Sequence, residues 1–365
     1  MFNCTNKPPD TLLFVGSYTE GKPANGISVY QFNSEDGSVA LMHTVDSLIN
    51  PSFLSLSPDN QFLYSVTESQ LQKNGSVSSF KIDAVSGSLK FLNSQDCGGR
   101  NPVHLNVHPS GRFIINSNYT DPGISVFEVG QNGYLNPYSL LLKFKDSSII
   151  EGRQDQAHIH STNFSPDGKF LFAQDLGADK IRGYILKITD SIYLSPMNAP
   201  EIRATPGSGP RHFTFHPNGK YGYGISELSG EVVAYLYNDG QMNLLEEYGS
   251  YSKKQEIHSA ADIHISPDGR FLYATNRGPE EDSVAIFSIN MADGRLSLVG
   301  HEPTHGEHPR NFAIDPSGNF LLVANQFSNK VVIFRRDIQN GTLTKLKNEI
   351  PVNRPSSLQM MKIKY

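Results

Sequence analysis

The stretch ADIHISPDGRFLYATN, residues 261–276, spells out a β-hairpin. Asp262-Ile263-His264-Ile265 alternates polar and apolar, and Phe271-Leu272-Tyr273-Ala274-Thr275 runs back after a turn. Pro267 sets φ at the first turn position, Asp268 bonds locally and Gly269 accepts a positive φ. A third run, Val284 to Ile289, is followed by the Asp293-Gly294 turn and a fourth run, Arg295 to Val299. No helical periodicity lies between them, so the unit is four short strands.

The turn phrase recurs six times: SPDN at 57–60, HPSG at 108–111, SPDG at 165–168, HPNG at 216–219, SPDG at 266–269 and DPSG at 315–318. Successive spacings are 51, 57, 51, 50 and 49 residues. Four antiparallel strands per period of that length describe the blade of a β-propeller. Six phrases imply six blades, and the chain ends supply a seventh. Residues 12–45 hold three strands with no phrase before them, and residues 354–363 (RPSSLQMMKI) read as the missing first strand. Sharing one blade between the ends would close the ring and hide two open sheet edges. The expected fold is therefore all-β, a seven-bladed propeller forming a single domain over residues 11–365, with residues 1–10 a loose N-terminal tail.

Composition narrows the function classes. Lys and Arg number 31 against 36 Asp and Glu, a formal net charge of −5 without a basic run, which gives no reason to expect nucleic acid. Cys4 and Cys97 make no disulfide framework. The opening MFNCTNKPPD is too polar for a signal peptide, and no apolar run is long enough to span a membrane. A cytoplasmic protein without membrane association is the expectation. The absence of Trp argues against the Trp-Asp class of propellers. Phosphate-loop, H-E-x-x-H, C-x-x-C and G-x-S-x-G patterns are all missing, so neither a nucleotide cofactor nor a serine nucleophile is indicated.

Hairpin geometry sorts residues by face. Every turn phrase points to one side of the disc, so residues that open the first strand and close the second gather on the other side, around the channel. The openers are His104, His158, His160, Arg211, His212, Asp262, His308 and Arg310; the closers are Glu68, Asn118, Asp175, Glu227, Asn276-Arg277 and Asn325-Gln326. Packing alone calls for apolar residues at most of these positions. Individually each has a bland reading: histidines capping strands, Arg211 and Glu227 paired across one hairpin, and Asn or Asp tying loops. Together they make a cationic ring of Arg and His around a glutamate.

The phrases GPRHFTFHPNGKYGYGISELSGEVVAY (209–235), HIHSTNFSPDGKFLFAQDLGADKI (158–181), HPRNFAIDPSGNFLLVANQFSNKVVIF (308–334) and GSYTEGKPANGISVYQF (16–32) resemble the lactonase family of seven-bladed propellers. That family includes propeller-type 6-phosphogluconolactonases and fungal carboxy-muconate lactonizing enzymes. The resemblance implies a sugar-phosphate lactone, 6-phospho-D-glucono-1,5-lactone, as the small-molecule partner. By motif position it implies a site of His160, Arg211, Glu227 and Arg277. The expected mechanism has Glu227 activating water, and Arg211 with His160 stabilising the oxyanion. Arg277, Arg310, His308, His104 and His212 would hold the substrate, the arginines gripping its phosphate. No metal and no cofactor enter. Three alternatives stay open at this point. One is a Ca²⁺-dependent lactonase using Glu68, Asn118, Asp175, Asn276 and Asn325. The others are a muconate cycloisomerase and a non-enzymatic interaction disc.

Overall fold

The computed structural model describes residues 10–363 apart from 21, 23, 69–71 and 190–191, so most of the expected N-terminal tail, Cys4 included, lies outside the described residues. The described residues form strands, turns and loops with no helix, in seven four-stranded antiparallel sheets. The second blade begins at Leu54–Leu56, the third at Pro102–Val107, the fourth at Ile159–Phe164, the fifth at Pro210–Phe215, the sixth at Ile263–Ile265 and the seventh at Pro309–Ile314. In the first blade the opening strand is Pro355–Lys362, paired with Thr11–Ser17 and followed by Ile27–Phe32 and Val39–Val45. The ring thus closes as expected. Opening strands of neighbouring blades touch one another, so they line the channel.

Blade-to-blade packing follows from what the repeats place at the turns. Phe271–Asn276 in the sixth blade is buried along its whole length. Its Tyr273 hydroxyl donates to the Gly341 carbonyl of the seventh blade at 2.8 Å, as Tyr223 donates to Gly294 at 2.8 Å one blade earlier. Gly341 is required twice over: its φ is +81°, and a Cβ there would stand 2.3 Å from the Phe271 ring. In the second blade Tyr64, at the same place in its strand, has no such bond; there Ser79 Oγ donates to the Gly133 carbonyl at 2.6 Å. Tyr273→Phe should therefore lower stability by about 1–2 kcal/mol, by leaving a buried carbonyl unpaired; a urea midpoint with unchanged m-value checks it.

The outer strands run longer than the sequence reading placed them. The sixth blade ends in Leu296–Pro303, beyond Val299, with a register shift at Ile286/Phe287. Most of its side chains face solvent or the margin of the core. Apolar alternation therefore carries no signal there.

Candidate active site

Three of the candidate side chains owe their direction to one backbone irregularity. The opening strands of the first, third, fourth, fifth and seventh blades each carry an extra residue in their pairing with the next strand: Ser356, Val103, His160, Arg211 and Arg310. Such a bulge bends the strand and re-aims the extra side chain. It lets the neighbours Arg211 and His212, which a regular strand would send to opposite faces, come within 3.3 Å of each other.

A second set comes from the residue just past each second strand. The backbone N–H of Tyr18, Glu68, Tyr119, Leu176, Glu227 and Gln326 makes the same bond, 2.8–3.1 Å, to the carbonyl of Arg354, Asn50, Asn101, His158, Gly209 or His308. Arg277 follows the sixth blade's second strand in the same way. This corrects the reading of Asn118, Asp175, Asn276 and Asn325, which sit one residue earlier and are fully buried. Asn118, Asn276 and Asn325 donate their amides to the Cys97, Ser250 and Thr304 carbonyls that end the preceding blades. Asp175 is engaged by Arg182 at 2.7 Å. Three of the five residues of the Ca²⁺ alternative thus tie blades together, and Asp175 is held within its own blade. Among the described residues, no group of three or more His, Cys, Asp or Glu side chains is placed to hold a metal ion.

Glu227 is the hub. Its Oε1 accepts from Arg153 at 2.6 Å, and its Oε2 accepts from Arg211 at 2.9 Å and Arg277 at 3.1 Å. Burial would raise its pKa, but Arg277, Arg211 and Arg153 outweigh that and hold the carboxyl at about 2. Burial, and then Arg277, draw Arg211 down to about 9, still charged at neutral pH. Arg277 also reaches His308 Nε2 at 3.1 Å, and the His308 ring stacks on Phe327 at 4.1 Å. His308 has φ +59°, an uncommon conformation that turns it inward beside the arginines. Arg310 is less committed: its closest carboxylate oxygen, on Glu68, is 3.9 Å away, and its guanidinium lies over the Tyr18 ring at 5.2 Å.

Beneath the arginines, imidazoles and one phenyl ring fill the channel. His212 lies 5.6 Å from His104, 5.2 Å from His160 and 6.1 Å from Phe53, measured between ring centroids. Burial, reinforced by the nearby cations and rings, keeps all three histidines neutral, with His212 pulled down to about 4. His160 Nδ1 is buried without a partner.

His160, Arg211, His212, Glu227, Arg277, His308, His104 and Arg310 are thus brought to one place. His158 is turned aside, stacked on Tyr119 and bonded to its carbonyl at 2.8 Å. Sequence reasoning missed Arg153 and Tyr18. Arg153 stands on the loop before the fourth blade, where no strand phase applies. Its one trace in the sequence is the longest spacing between turn phrases, 57 residues, which marks an insertion there.

Comparison with known proteins agrees with this architecture. A family model described as "Lactonase, 7-bladed beta-propeller" matches residues 12–360. A 6-phosphogluconolactonase of Formosa agariphila is 57% identical over 348 residues, covering 95% of this chain and 99% of that protein. One from Bacillus subtilis is 33% identical, covering 95% and 97% respectively. Among solved structures, the periplasmic gluconolactonase of Pseudomonas aeruginosa superposes with a TM-score of 0.91 at 33% identity, covering 97% of this chain and 99% of that one.

Proposed function

Since the chain belongs to the seven-bladed β-propeller lactonase family, we infer that it hydrolyses 6-phospho-D-glucono-1,5-lactone to 6-phosphogluconate in the oxidative pentose phosphate pathway. The observation that carries this reading is the buried cluster of Arg211, Glu227 and Arg277 above neutral imidazoles. Three arginines share one carboxylate there, and Arg310 stands beside them with its nearest carboxylate oxygen, on Glu68, 3.9 Å away, so four arginines face two carboxylates and the site carries excess positive charge. Such a site suits an anionic substrate whose reaction builds up further negative charge.

In this reading water attacks the lactone carbonyl carbon. Arg211, with His160, stabilises the oxyanion that forms, and Arg310, Arg277, His308 and His104 hold the distal phosphate and the sugar hydroxyls. Glu227 takes a different part from the one its sequence position suggested. A carboxylate held at about 2 is a weak base, and both its oxygens are engaged by arginines. It fixes the guanidinium planes instead. The scheme uses protein side chains and water alone.

The test generates the lactone in situ with glucose-6-phosphate dehydrogenase and follows its decay against the spontaneous rate, with and without EDTA. Acceleration that survives EDTA is expected; no acceleration removes this substrate and redirects the search to other lactones and muconates. Arg310→Gln should raise KM for the phosphorylated lactone by about 30-fold, the loss of one charge-assisted contact worth ~2 kcal/mol. The same variant should leave KM for unphosphorylated gluconolactone nearly unchanged. A cytoplasmic location remains part of the reading, to be checked by cell fractionation, since the P. aeruginosa relative is periplasmic.

A further inference from the structure

His212 and Asp262 form a pair whose geometry exceeds substrate holding. Asp262 is 2% exposed and accepts five hydrogen bonds. Its Oδ1 takes His212 Nδ1–H at 2.7 Å and the Ile263 N–H at 3.0 Å. Its Oδ2 takes His264 Nε2–H at 3.0 Å, the Asn311 amide and the Phe312 N–H at 3.2 Å. A carboxylate with that many donors is committed to its anionic form and has no proton to give. The proton of the His212–Asp262 bond therefore resides on Nδ1, and Nε2 carries the lone pair.

That lone pair faces Arg211 Nη1 at 3.3 Å, a long contact, and the same Nη1 also donates to the Ala261 carbonyl. Nε2 and the guanidinium that receives the oxyanion are thus adjacent, and a water lying beside the pair would touch both. The other groups facing the ring are His104, His160 and Phe53, none of them anionic. Resting on the lactonase reading, we propose that His212, oriented by Asp262, is the proton-transfer residue of the hydrolysis.

The steps balance without a co-reactant. As the water oxygen bonds to the lactone carbonyl carbon, its proton passes to His212 Nε2, giving an imidazolium braced by anionic Asp262. The tetrahedral adduct collapses, the carbon–ring oxygen bond breaks, and the alkoxide takes that proton from Nε2. The carboxylic acid produced then loses its own proton to solvent. At about 4, His212 is a stronger base than Glu227 at about 2, and it is neutral at pH 7. A weakly basic imidazole also returns the proton readily to an alkoxide.

The bland role for this position is a strut between blades, as Ser357 provides when its Oγ accepts the Leu54 N–H at 3.0 Å. A strut would change stability and leave the proton chemistry alone. The experiment therefore reads kcat, KM and the pH profile of His212→Gln, alongside its thermal midpoint. Expected are a kcat lowered about 10²–10³-fold, a KM within about threefold, and loss of the acid limb that His212 should give the wild-type profile near pH 4. Free imidazole should restore part of the turnover of His212→Ala, an effect no strut produces. Asp262→Asn, whose amide donates to Nδ1 and moves the proton to Nε2, should lose kcat to a similar extent. Wild-type turnover together with a folded His212→Gln that keeps kcat within about threefold overturns the assignment alone. Absence of wild-type lactone turnover overturns the functional reading and this assignment with it.

Discussion

Glu227→Gln should lower kcat/KM by about 10²–10³-fold and raise KM as well as lowering kcat. The carboxylate pairs with two buried guanidinium groups, Arg211 and Arg277, which stand together on its Oε2 at 2.9 and 3.1 Å. An amide in its place presents one acceptor and one donor to cations that themselves only donate. Arg153, with its side chain 43% exposed, can turn out to water, but Arg211 and Arg277, at 2% and 5%, cannot. Both cations then shift, and with them the oxyanion donor and the phosphate grip of the proposed scheme. Breaking a buried ion pair by removing one partner costs about 3–5 kcal/mol, so the variant should also unfold at lower denaturant. Separating the two roles requires the pH profile: an organising Glu227 leaves the acid limb of the residual activity where it was. A base would take the limb away and leave KM alone. A folded variant with wild-type kcat and KM would sink both roles.

The same residue makes a stability prediction with a definite sign. The folded-state pKa of Glu227 lies at about 2, below the ordinary glutamate value. Its contribution is therefore present above about pH 4.5 and is lost as pH falls toward 2. In wild type that contribution is on the order of 3 kcal/mol, and Glu227→Gln should flatten that part of the stability-versus-pH curve. Urea unfolding at pH 7, 4 and 3 for both proteins measures it.

Much of this fold is legible because its repeat is punctuated. Pro-Asp-Gly or a close variant marks each hairpin, and the absence of a phrase before Leu12 exposes the shared blade. The face of the site follows from the same turns, which is why Arg211, Glu227 and Arg277 are found from strand logic. Three things are not legible. The bulge that places His160, Arg211 and Arg310 has no side-chain signature of its own, although Pro102, Pro210, Pro309 and Pro355 begin four of the five bulged strands. A one-residue offset decides whether a closing residue faces the channel, as Tyr119 does not share the burial and amide bonding of Asn118. Arg153 is recruited by an inserted loop, and loop conformation depends on tertiary partners rather than local periodicity. The surroundings of Glu227 are only partly legible for a related reason: strand logic pairs it with Arg211 across one hairpin, and three arginines are present.

Removing the chain from Pro355 onward should abolish the fold, although it deletes one strand of one blade and none of the candidate site's side chains. The strand Pro355–Lys362 pairs with Thr11–Ser17, whose seven residues are all buried. It also ties three blades together. Ser356 Oγ donates to the Gly16 and Ser52 carbonyls at 3.2 and 3.1 Å, Ser357 Oγ accepts from Leu54 of the second blade, and the Leu358 N–H donates to Asn311 of the seventh at 2.7 Å. Leu358 packs with Leu13, Val15 and Phe32 of its own blade and with Leu322 and Ala324 of the seventh. Without the strand, two blades lose their inner contact and Thr11–Ser17, with the apolar run Leu12 to Val15 inside it, becomes an open edge, a template for aggregation. Leu358→Ala, which leaves the pairing intact and empties one buried position, should cost about 2–5 kcal/mol. Size-exclusion chromatography and thermal unfolding distinguish the cases: the truncated chain is expected to aggregate, and Leu358→Ala to elute as the wild type does with a lower midpoint. A peptide of residues 351–365 added to the truncated chain during refolding should recover soluble protein, because it supplies the missing strand to an edge already shaped for it. A truncated chain that elutes as the wild type does and unfolds cooperatively at the wild-type temperature would show that the other six blades hold the ring shut without this shared one.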